Sequence, residues 1–233
     1  IENLKKIELG HYTNLLENDA EYKFVLPIPE DNLDLSSFFE KESLKLDTFE
    51  GELYPYQVQG SKWLISSSIS NTGGILGDEM GLGKTVQLIF LFCYEKSKSQ
   101  YPNLVICPST LIENWFREIQ KFAPSLKVSK HRGYDRTGSV VNLKNYDVII
   151  CSYETAISDR ILFKNVEWNI LVLDEAQYIK NPSSNRTNHV KTLNRRIGIA
   201  VSGTPVEKKL KDLWSIVDFI RPNYLGDLAQ FEE

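Results

Sequence analysis

The sequence predicts an α/β protein with a mostly parallel central sheet and helices on both faces. Short, nearly continuous apolar runs alternate along the chain with segments of helical periodicity. Strands buried on both faces have continuous apolar sequences, and strands alternating with helices are typical of parallel sheets. The five predicted strands are 74–77, 104–107, 148–151, 170–173 and 197–201.

Polar residues directly follow several of these strands. The first strand leads into a glycine-spaced loop, and three later strands lead into polar clusters at 152–155, 174–177 and 202–205. The carboxyl ends of parallel strands lie along one edge of a sheet, and ligands bind just beyond that edge. These clusters are therefore expected to form one site.

The glycine-spaced loop, followed by a predicted helix over 85–92, has the arrangement of a phosphate-binding loop. Gly81 and Gly83 allow backbone N–H groups to surround a phosphate at a helix N-terminus. Lys84 can then reach the β- and γ-phosphates, and the Thr85 hydroxyl can hold a magnesium ion. The usual pattern has glycine six residues before the lysine, where this chain has Asp78. The alternative is an ordinary glycine turn between a strand and a helix.

Two adjacent acids, Asp174 and Glu175, end the fourth predicted strand. If ATP and magnesium bind at the phosphate loop, one carboxylate must hold the metal and a second group must orient the attacking water. We assign the metal to Asp174, together with Thr85, and the water to Glu175. The alternative is a pair of acids that caps the following helix.

Two further helices are predicted from local signals. Pro55 suits the first turn of a helix, and the Gln57 amide can donate to and accept from the edge of an adenine. Thr110 and Glu113 fit a capping box that opens a second helix, which Pro124 ends. Aromatic residues at helical spacing along this helix are interpreted as core.

Composition limits the remaining possibilities. The chain has 233 residues, a net charge of −4 and a pI of about 5.6, so any nucleic-acid contact must be a local patch. Its three cysteines lie in apolar runs and are predicted to be reduced core thiols. No membrane span or signal peptide is evident.

Residues 1–50 are polar and are predicted to be a segment or linker from a preceding region, whereas 51–233 form the main domain. Residues 127–145 are predicted to be irregular, basic surface.

Together these segments resemble the first RecA-like motor lobe of the Swi/Snf-like ATPases, in helicase superfamily two. That family has an aspartate at the position of Asp78. The matching segments are Leu53-Tyr-Pro-Tyr-Gln57 (adenine motif), Asp78-Glu-Met-Gly-Leu-Gly-Lys-Thr85 (motif I), 106–109 with 114–115 (motif Ia), Ser152-Tyr-Glu-Thr155 (motif Ib), Asp174-Glu-Ala-Gln177 (motif II) and Ser202-Gly-Thr-Pro205 with 213–214 (motif III).

The resemblance implies an ATP hydrolase that uses ATP and Mg²⁺ and translocates along double-stranded DNA to remodel protein–DNA complexes. By this resemblance, the catalytic residues are Lys84, Asp174 and Glu175. The nucleotide-binding residues are Gln57, Gly81, Leu82, Gly83, Lys84, Thr85 and Gln177. The coupling residues are Ser202 and Thr204, and the candidate contacts to the DNA backbone are Ser109, Ser152, Tyr153, Lys180 and Asn181.

The resemblance also implies partners and a location. A second motor lobe, which would supply arginines to the site, is expected beyond Glu233, so hydrolysis by this chain alone is expected to be very low. The protein is expected to act inside the cell at DNA, in a bacterial nucleoid or a eukaryotic nucleus, with no membrane partner. Gln177 departs from the histidine of many members; it cannot titrate, but it can still hydrogen-bond towards motif III.

Two other functions remain open at this point. The chain could be a nucleotide-switched docking module for a DNA-bound or polymerase complex. It could also be a lobe of a helicase that acts on RNA or single strands. Comparing stimulation by duplex DNA, single strands and RNA separates these possibilities.

Overall fold

The computed structural model describes residues 45–79, 81–203 and 210–231, and the strands in this part of the chain form one sheet. The strands are β1 (Gly74–Leu76), β2 (Asn103–Cys107), β3 (Val128–Lys130), β4 (Val148–Ser152), β5 (Trp168–Asp174) and β6 (Arg195–Val201). Their order in the sheet is β1-β6-β5-β2-β4-β3, and every neighbouring pair is parallel.

Helices connect the strands. The α-helices in the described residues are α1 (Pro55–Ile69), α2 (Lys84–Glu95), α3 (Ile112–Phe122), α4 (Val140–Leu143), α5 (Tyr153–Ser158), α6 (Arg160–Lys164), α7 (Asn185–Lys191), α8 (Leu210–Ile220) and α9 (Leu228–Phe231). Short 3₁₀ turns lie at Ser109–Leu111, Gly133–Asp135 and Ala176–Ile179. None of the helices in the described part of the chain is both long and apolar enough to span a membrane.

Apolar side chains cover both faces of the sheet, as the continuous apolar runs predicted. Along β2, for example, Val105 and Cys107 belong to one buried cluster, whereas Leu104 and Ile106 belong to the other. This alternation follows from the two-residue period of a strand. The prediction of a parallel sheet with two covered faces is confirmed, and all five predicted strands are present.

Two local predictions were wrong. Residues 127–145 are not wholly irregular, because β3 lies among them and, within the described residues, is an edge strand that pairs with β4. The predicted capping box is also absent. Thr110 lies inside a 3₁₀ turn, and Leu111 caps α3 without a side-chain hydrogen bond. The helix ends at Phe122, as Pro124 predicted.

The predicted N-terminal segment lies mostly outside the described residues, and its boundary stays a prediction. Its last described residues contact the core of the main domain. The Phe49 ring lies edge-on to Phe90 at 5.0 Å between centroids and stacks on Phe122 at 5.9 Å. The Glu50 N–H donates to the Phe122 carbonyl at 2.7 Å. These contacts attach residues 49–50 to α2 and α3.

A buried polar network joins elements at the amino ends of the central strands. Glu95, at the end of α2, is 6% exposed. It accepts hydrogen bonds from Ser68 Oγ at 2.5 Å, Arg196 Nη2 at 3.0 Å and Asn169 Nδ2 at 3.2 Å. The network therefore ties α1, α2, β5 and β6 together at the edge of the sheet opposite to the polar clusters that follow the strands.

A second ionic cluster lies beside the β3 edge. The Asp159 carboxylate contacts His131 Nε2 at 2.7 Å and accepts a hydrogen bond from Arg136 Nε at 3.0 Å. Burial raises the pKa of Asp159, but the hydrogen bonds from these two partners outweigh burial and bring the pKa below its usual value. The cluster attaches the segment after β3 to the turn between α5 and α6.

The three cysteines, Cys93, Cys107 and Cys151, are buried and free, as predicted. Burial raises the pKa of the Cys93 thiol to about 11, so the thiol stays protonated at neutral pH.

Candidate active site

The phosphate loop lies between β1 and α2, and its glycines adopt left-handed backbone conformations. Gly81 has φ +86° and Gly83 has φ +73°, values that side chains other than glycine rarely adopt. Gly83 is the N-cap of α2, so the free N–H groups of the first helical turn point into the loop. The Lys84 ammonium donates to the carbonyls of Asp78 and Glu79 at 2.7 and 2.9 Å and therefore lies against the loop.

Gln57, from the first turn of α1, is hydrogen-bonded to the phosphate loop. Its Nε2 donates to the Leu82 carbonyl at 3.3 Å, and its Oε1 accepts from the Tyr54 N–H at 3.0 Å. A Cβ atom on Gly83 would lie 2.4 Å from Gln57 Nε2. Glycine at position 83 is thus required both by its backbone conformation and by the close approach of the glutamine.

Asp78 occupies the position where many phosphate loops have glycine, and a buried side chain fixes it. Gln87 Nε2, in α2, donates to Asp78 Oδ2 at 3.0 Å, and Gln87 is fully buried. Gln87 was not among the predicted site residues. It lies within an apolar helix, and nothing in its sequence context indicates which group it contacts.

Asp174, the last residue of β5, has both carboxylate oxygens hydrogen-bonded. Its Oδ1 accepts from the Glu175 N–H at 2.9 Å, and its Oδ2 accepts from Trp115 Nε1 at 2.8 Å. Burial raises the pKa of Asp174, and these hydrogen bonds, together with the positive charge of Lys84, oppose that shift. Each oxygen retains a further lone pair with which it can bind a cation.

Glu175 has φ +52° and ψ +57°, a left-handed conformation that is unfavourable for glutamate. Its Oε2 accepts from Gln177 Nε2 at 2.6 Å. Gln177 Oε1 in turn accepts from Ser202 Oγ, which follows β6, at 3.0 Å. The hydrogen bond from Gln177 towards motif III, expected from sequence, is present. A neutral amide is suited to this bridge because it accepts at one end and donates at the other. The predicted coupling residue Thr204 lies outside the described residues.

The oxygen donors at this edge fit a magnesium ion. Mg²⁺ is a hard cation that proteins usually hold through one or two carboxylates plus substrate phosphates. The Asp174 carboxylate and the Thr85 hydroxyl, at the start of α2, are groups of that kind. Because the order of the strands in the sheet places β6 alone between β1 and β5, the phosphate loop and the acidic pair follow strands that are two positions apart.

The candidate DNA contacts differ in their exposure. Ser109, Lys180 and Asn181 are exposed. Ser152 is 6% exposed, and its Oγ caps α5 by accepting from the Thr155 N–H. Tyr153 is fully buried, and its hydroxyl donates to the Asp174 carbonyl at 2.9 Å. The Tyr153 side chain therefore lies inside the lobe, hydrogen-bonded to Asp174, and the contact of this residue with DNA stays a prediction.

Comparison with known proteins agrees with this arrangement. Residues 56–233 match the family model of the SNF2-related domain. The chain belongs to this family. The SNF2-related chain is 41% identical over 191 residues to a putative ATP-dependent helicase/translocase, YwqA, of Bacillus subtilis, a match that covers 80% of this chain and 21% of the relative.

A eukaryotic relative shows a similar relationship. The chain is 31% identical over 240 residues to the SWI/SNF chromatin-remodeling complex subunit snf22 of Schizosaccharomyces pombe, covering 97% of this chain and 14% of the relative. The chain thus spans about a fifth or less of the length of these relatives.

A solved structure confirms the fold of the SNF2-related lobe. The SWI2/SNF2 ATPase core of Sulfolobus solfataricus in complex with dsDNA superposes with a TM-score of 0.76 at 39% identity, covering 82% of this chain and 40% of that one. The predicted RecA-like architecture and the predicted family are both confirmed.

Proposed function

We propose that this chain is the ATP-binding first lobe of a duplex-DNA-dependent ATPase that translocates on DNA and remodels protein–DNA complexes. The observation that carries the proposal is the hydrogen-bonded chain Glu175–Gln177–Ser202, at the same sheet edge as the phosphate loop. Family membership supports ATP hydrolysis, and the Sulfolobus core in complex with dsDNA supports duplex DNA as the track.

In this proposal the phosphate loop binds the triphosphate of ATP. Backbone N–H groups of Gly81, Leu82 and Gly83 and the N-terminus of α2 surround the phosphates. Lys84 exchanges its loop carbonyls for phosphate oxygens and thereby neutralises negative charge. Gln57 reads the edge of adenine with the donor and acceptor capacity that remains after its bonds to Leu82 and Tyr54.

The acidic pair then supports hydrolysis. Magnesium would supply positive charge that offsets the negative charge developing on the phosphates. Asp174 and Thr85 are the residues that would hold it. Glu175 orients the attacking water, and Gln177 fixes the Glu175 carboxylate through one oxygen, Oε2. Ser202, which directly follows β6, connects Gln177 and Glu175 to that strand. Together with Thr204, it would transmit the state of the nucleotide.

Arginines that complete the site are assigned to a second motor lobe of the parent protein. Phosphoryl transfer usually needs a cationic side chain against the γ-phosphate, an arginine finger that contributes about 10³–10⁵ in rate. In this sequence, no arginine lies within the family motifs named above. We therefore expect the 233-residue chain to bind nucleotide but to hydrolyse it at a small fraction of the full-length rate.

The DNA backbone is proposed to lie along Ser109, Ser152, Lys180 and Asn181. Contacts of this kind fix the position of a protein on DNA and read no sequence. They suit a translocase, which must move along DNA of any sequence. The protein–DNA complex that would be remodelled is proposed only as a class, supported by the chromatin-remodeling assignments of relatives such as snf22.

The proposal is tested by ATP hydrolysis with the full-length protein. Rates are measured without nucleic acid and with duplex DNA, single-stranded DNA and RNA, with Glu175→Gln as the matched inactive control. We expect duplex DNA to give the largest stimulation and the control to lose at least about 100-fold in rate while still binding ATP.

Other outcomes identify the alternatives. Stimulation by RNA or single strands alone would indicate a different helicase branch. ATP binding without hydrolysis under any of these conditions would favour a nucleotide-switched docking module. Rapid hydrolysis by the isolated 233-residue chain would refute the need for a second lobe.

A further inference from the structure

Two buried aromatic side chains hydrogen-bond to Asp174 from different elements. Trp115, in α3, donates from Nε1 to the carboxylate Oδ2 at 2.8 Å. Tyr153, at the start of α5, donates from its hydroxyl to the Asp174 carbonyl at 2.9 Å. Both donor side chains are at most 1% exposed, so each is shielded from bulk water. Asp174 is thus held at its side chain and at its backbone by groups that cannot easily move.

These bonds determine where the carboxylate points. The terminal torsion of an aspartate has a broad energy minimum, so an unsupported carboxylate samples a range of orientations. The Glu175 N–H holds only Oδ1, whereas the Trp115 indole holds Oδ2. With both oxygens fixed, the remaining lone pairs have a defined direction. Buried hydrogen bonds to an ionised acceptor are stronger than those between neutral groups.

The aromatic rings that provide these donors are themselves immobilised. Tyr153 stacks on Tyr178 with 5.1 Å between ring centroids, and the Arg186 guanidinium lies 5.6 Å from the Tyr153 ring. Burial raises the pKa of Tyr153 well above its ordinary value, so the hydroxyl stays a donor. Trp115 belongs to the buried cluster on the other face of the sheet from Tyr153. The two donors therefore reach Asp174 from the two layers of the lobe.

We propose that Trp115 and Tyr153 are positioning residues for the magnesium ligand Asp174. This inference rests on the proposed function, because it assumes that Asp174 holds the metal. Outer-shell partners of metal ligands typically contribute about 10–100-fold to metal affinity or activity. The two residues also join the metal ligand to the segments that carry Ser109 and Ser152, since Trp115 follows the first closely and Tyr153 follows the second directly.

The test measures Mn²⁺ binding to the full-length protein by electron paramagnetic resonance in the presence of a non-hydrolysable ATP analogue. We expect Trp115→Phe to weaken Mn²⁺ binding about 10–100-fold. Its matched control is Trp168→Phe, which also removes a buried indole N–H, one that donates to the Phe163 carbonyl at 3.1 Å and not to the site. Both variants lose the same side-chain volume, so only the bond to Asp174 distinguishes them.

A second pair of variants changes the volume less. Tyr153→Phe removes only the hydroxyl, and we expect it to weaken Mn²⁺ binding about 3–10-fold, the range of one hydrogen bond. Tyr178→Phe, in the ring stacked on Tyr153, is its control. Excess Mg²⁺ should restore hydrolysis by Trp115→Phe and Tyr153→Phe, a rescue that a purely structural defect would not give.

The outcomes separate this inference from the proposed function. Wild-type Mn²⁺ affinity in both Trp115→Phe and Tyr153→Phe would overturn the inference and leave the proposed function intact. An equal loss in Trp168→Phe would overturn it as well, because the effect would then follow from volume. If the wild-type protein binds no Mn²⁺ with the nucleotide analogue, the metal site itself is refuted, and with it both proposals.

Discussion

The close approach of Gln57 to Gly83 allows the proposed recognition of adenine to be tested separately from the proposed binding of phosphate. Gly83→Ala would place a methyl group 2.4 Å from Gln57 Nε2, whereas a Cβ on Gly81 would meet no atom within 4 Å. Both glycines have left-handed backbones. Gly81→Ala is thus a matched control that has the same kind of backbone strain without the collision.

The expected magnitudes follow from these two contributions. An alanine in the left-handed region costs about 1–2 kcal/mol, and both variants incur this cost. In Gly83→Ala the flexible end of Gln57 must also rotate away, which breaks its 3.3 Å bond to the Leu82 carbonyl and misplaces the amide proposed to contact adenine. Loss of one such contact amounts to about 0.5–1.5 kcal/mol, or about 3–10-fold in affinity.

The assay is calorimetric titration of ATP and GTP into the full-length protein and both variants. We expect the preference for ATP over GTP to fall about 3–10-fold in Gly83→Ala and to stay unchanged in Gly81→Ala. The ratio cancels any effect on the phosphates, which the two nucleotides share. Equal ratios in the two variants would refute the assignment of Gln57 to adenine.

Three further predictions concern single contacts. Gln177→Ala should lower kcat about tenfold, because it removes the hydrogen-bonded bridge from Glu175 to Ser202; steady-state kinetics check this. Arg196→Ala should lower the free energy of unfolding by about 3 kcal/mol in urea titrations, since it leaves Glu95 buried without its cation. Asp159→Asn should destabilise the chain by about 1 kcal/mol at pH 7. The pKa of Asp159 is lower in the folded state than in the unfolded state, where it is about 4. Its stabilising contribution is therefore present above the unfolded pKa and is lost as the pH falls through the lower folded pKa. The difference in stability between Asp159→Asn and wild type should vanish in acid. A difference that persists or grows in acid would contradict the cause given for this shift.

The central strands could be predicted because burial on both faces requires apolar residues at nearly every position. β2, β4, β5 and most of β6 are buried on both faces, so nearly every position in them is apolar. β3 was missed because it is a three-residue edge strand with the sequence Val-Ser-Lys and partial burial throughout. An edge strand of this length gives no periodic signal that distinguishes it from a loop.

Site residues were predictable where a backbone pattern accompanies them. The glycine spacing identified the phosphate loop, and the end of β5 identified the acidic pair. Trp115 was correctly predicted to be core from its helical spacing, but its bond to Asp174 was not. Periodicity reports that a side chain is buried, and it says nothing of which partner satisfies the single N–H of a buried indole. The same limit applies to the Tyr153 hydroxyl and to Gln87.

The backbone conformation of Glu175 is unfavourable for a glutamate, although the role proposed for this residue needs its carboxylate. Its φ of +52° is one that asparagine or glycine adopts readily and glutamate does not. A substitution of Glu175 by asparagine would therefore relieve strain of about 1 kcal/mol or more, while it removes the carboxylate proposed to orient water. The most favourable residue for the fold at this position is thus not the one present. The proposed role of Glu175 in turnover would account for a glutamate here in spite of this strain.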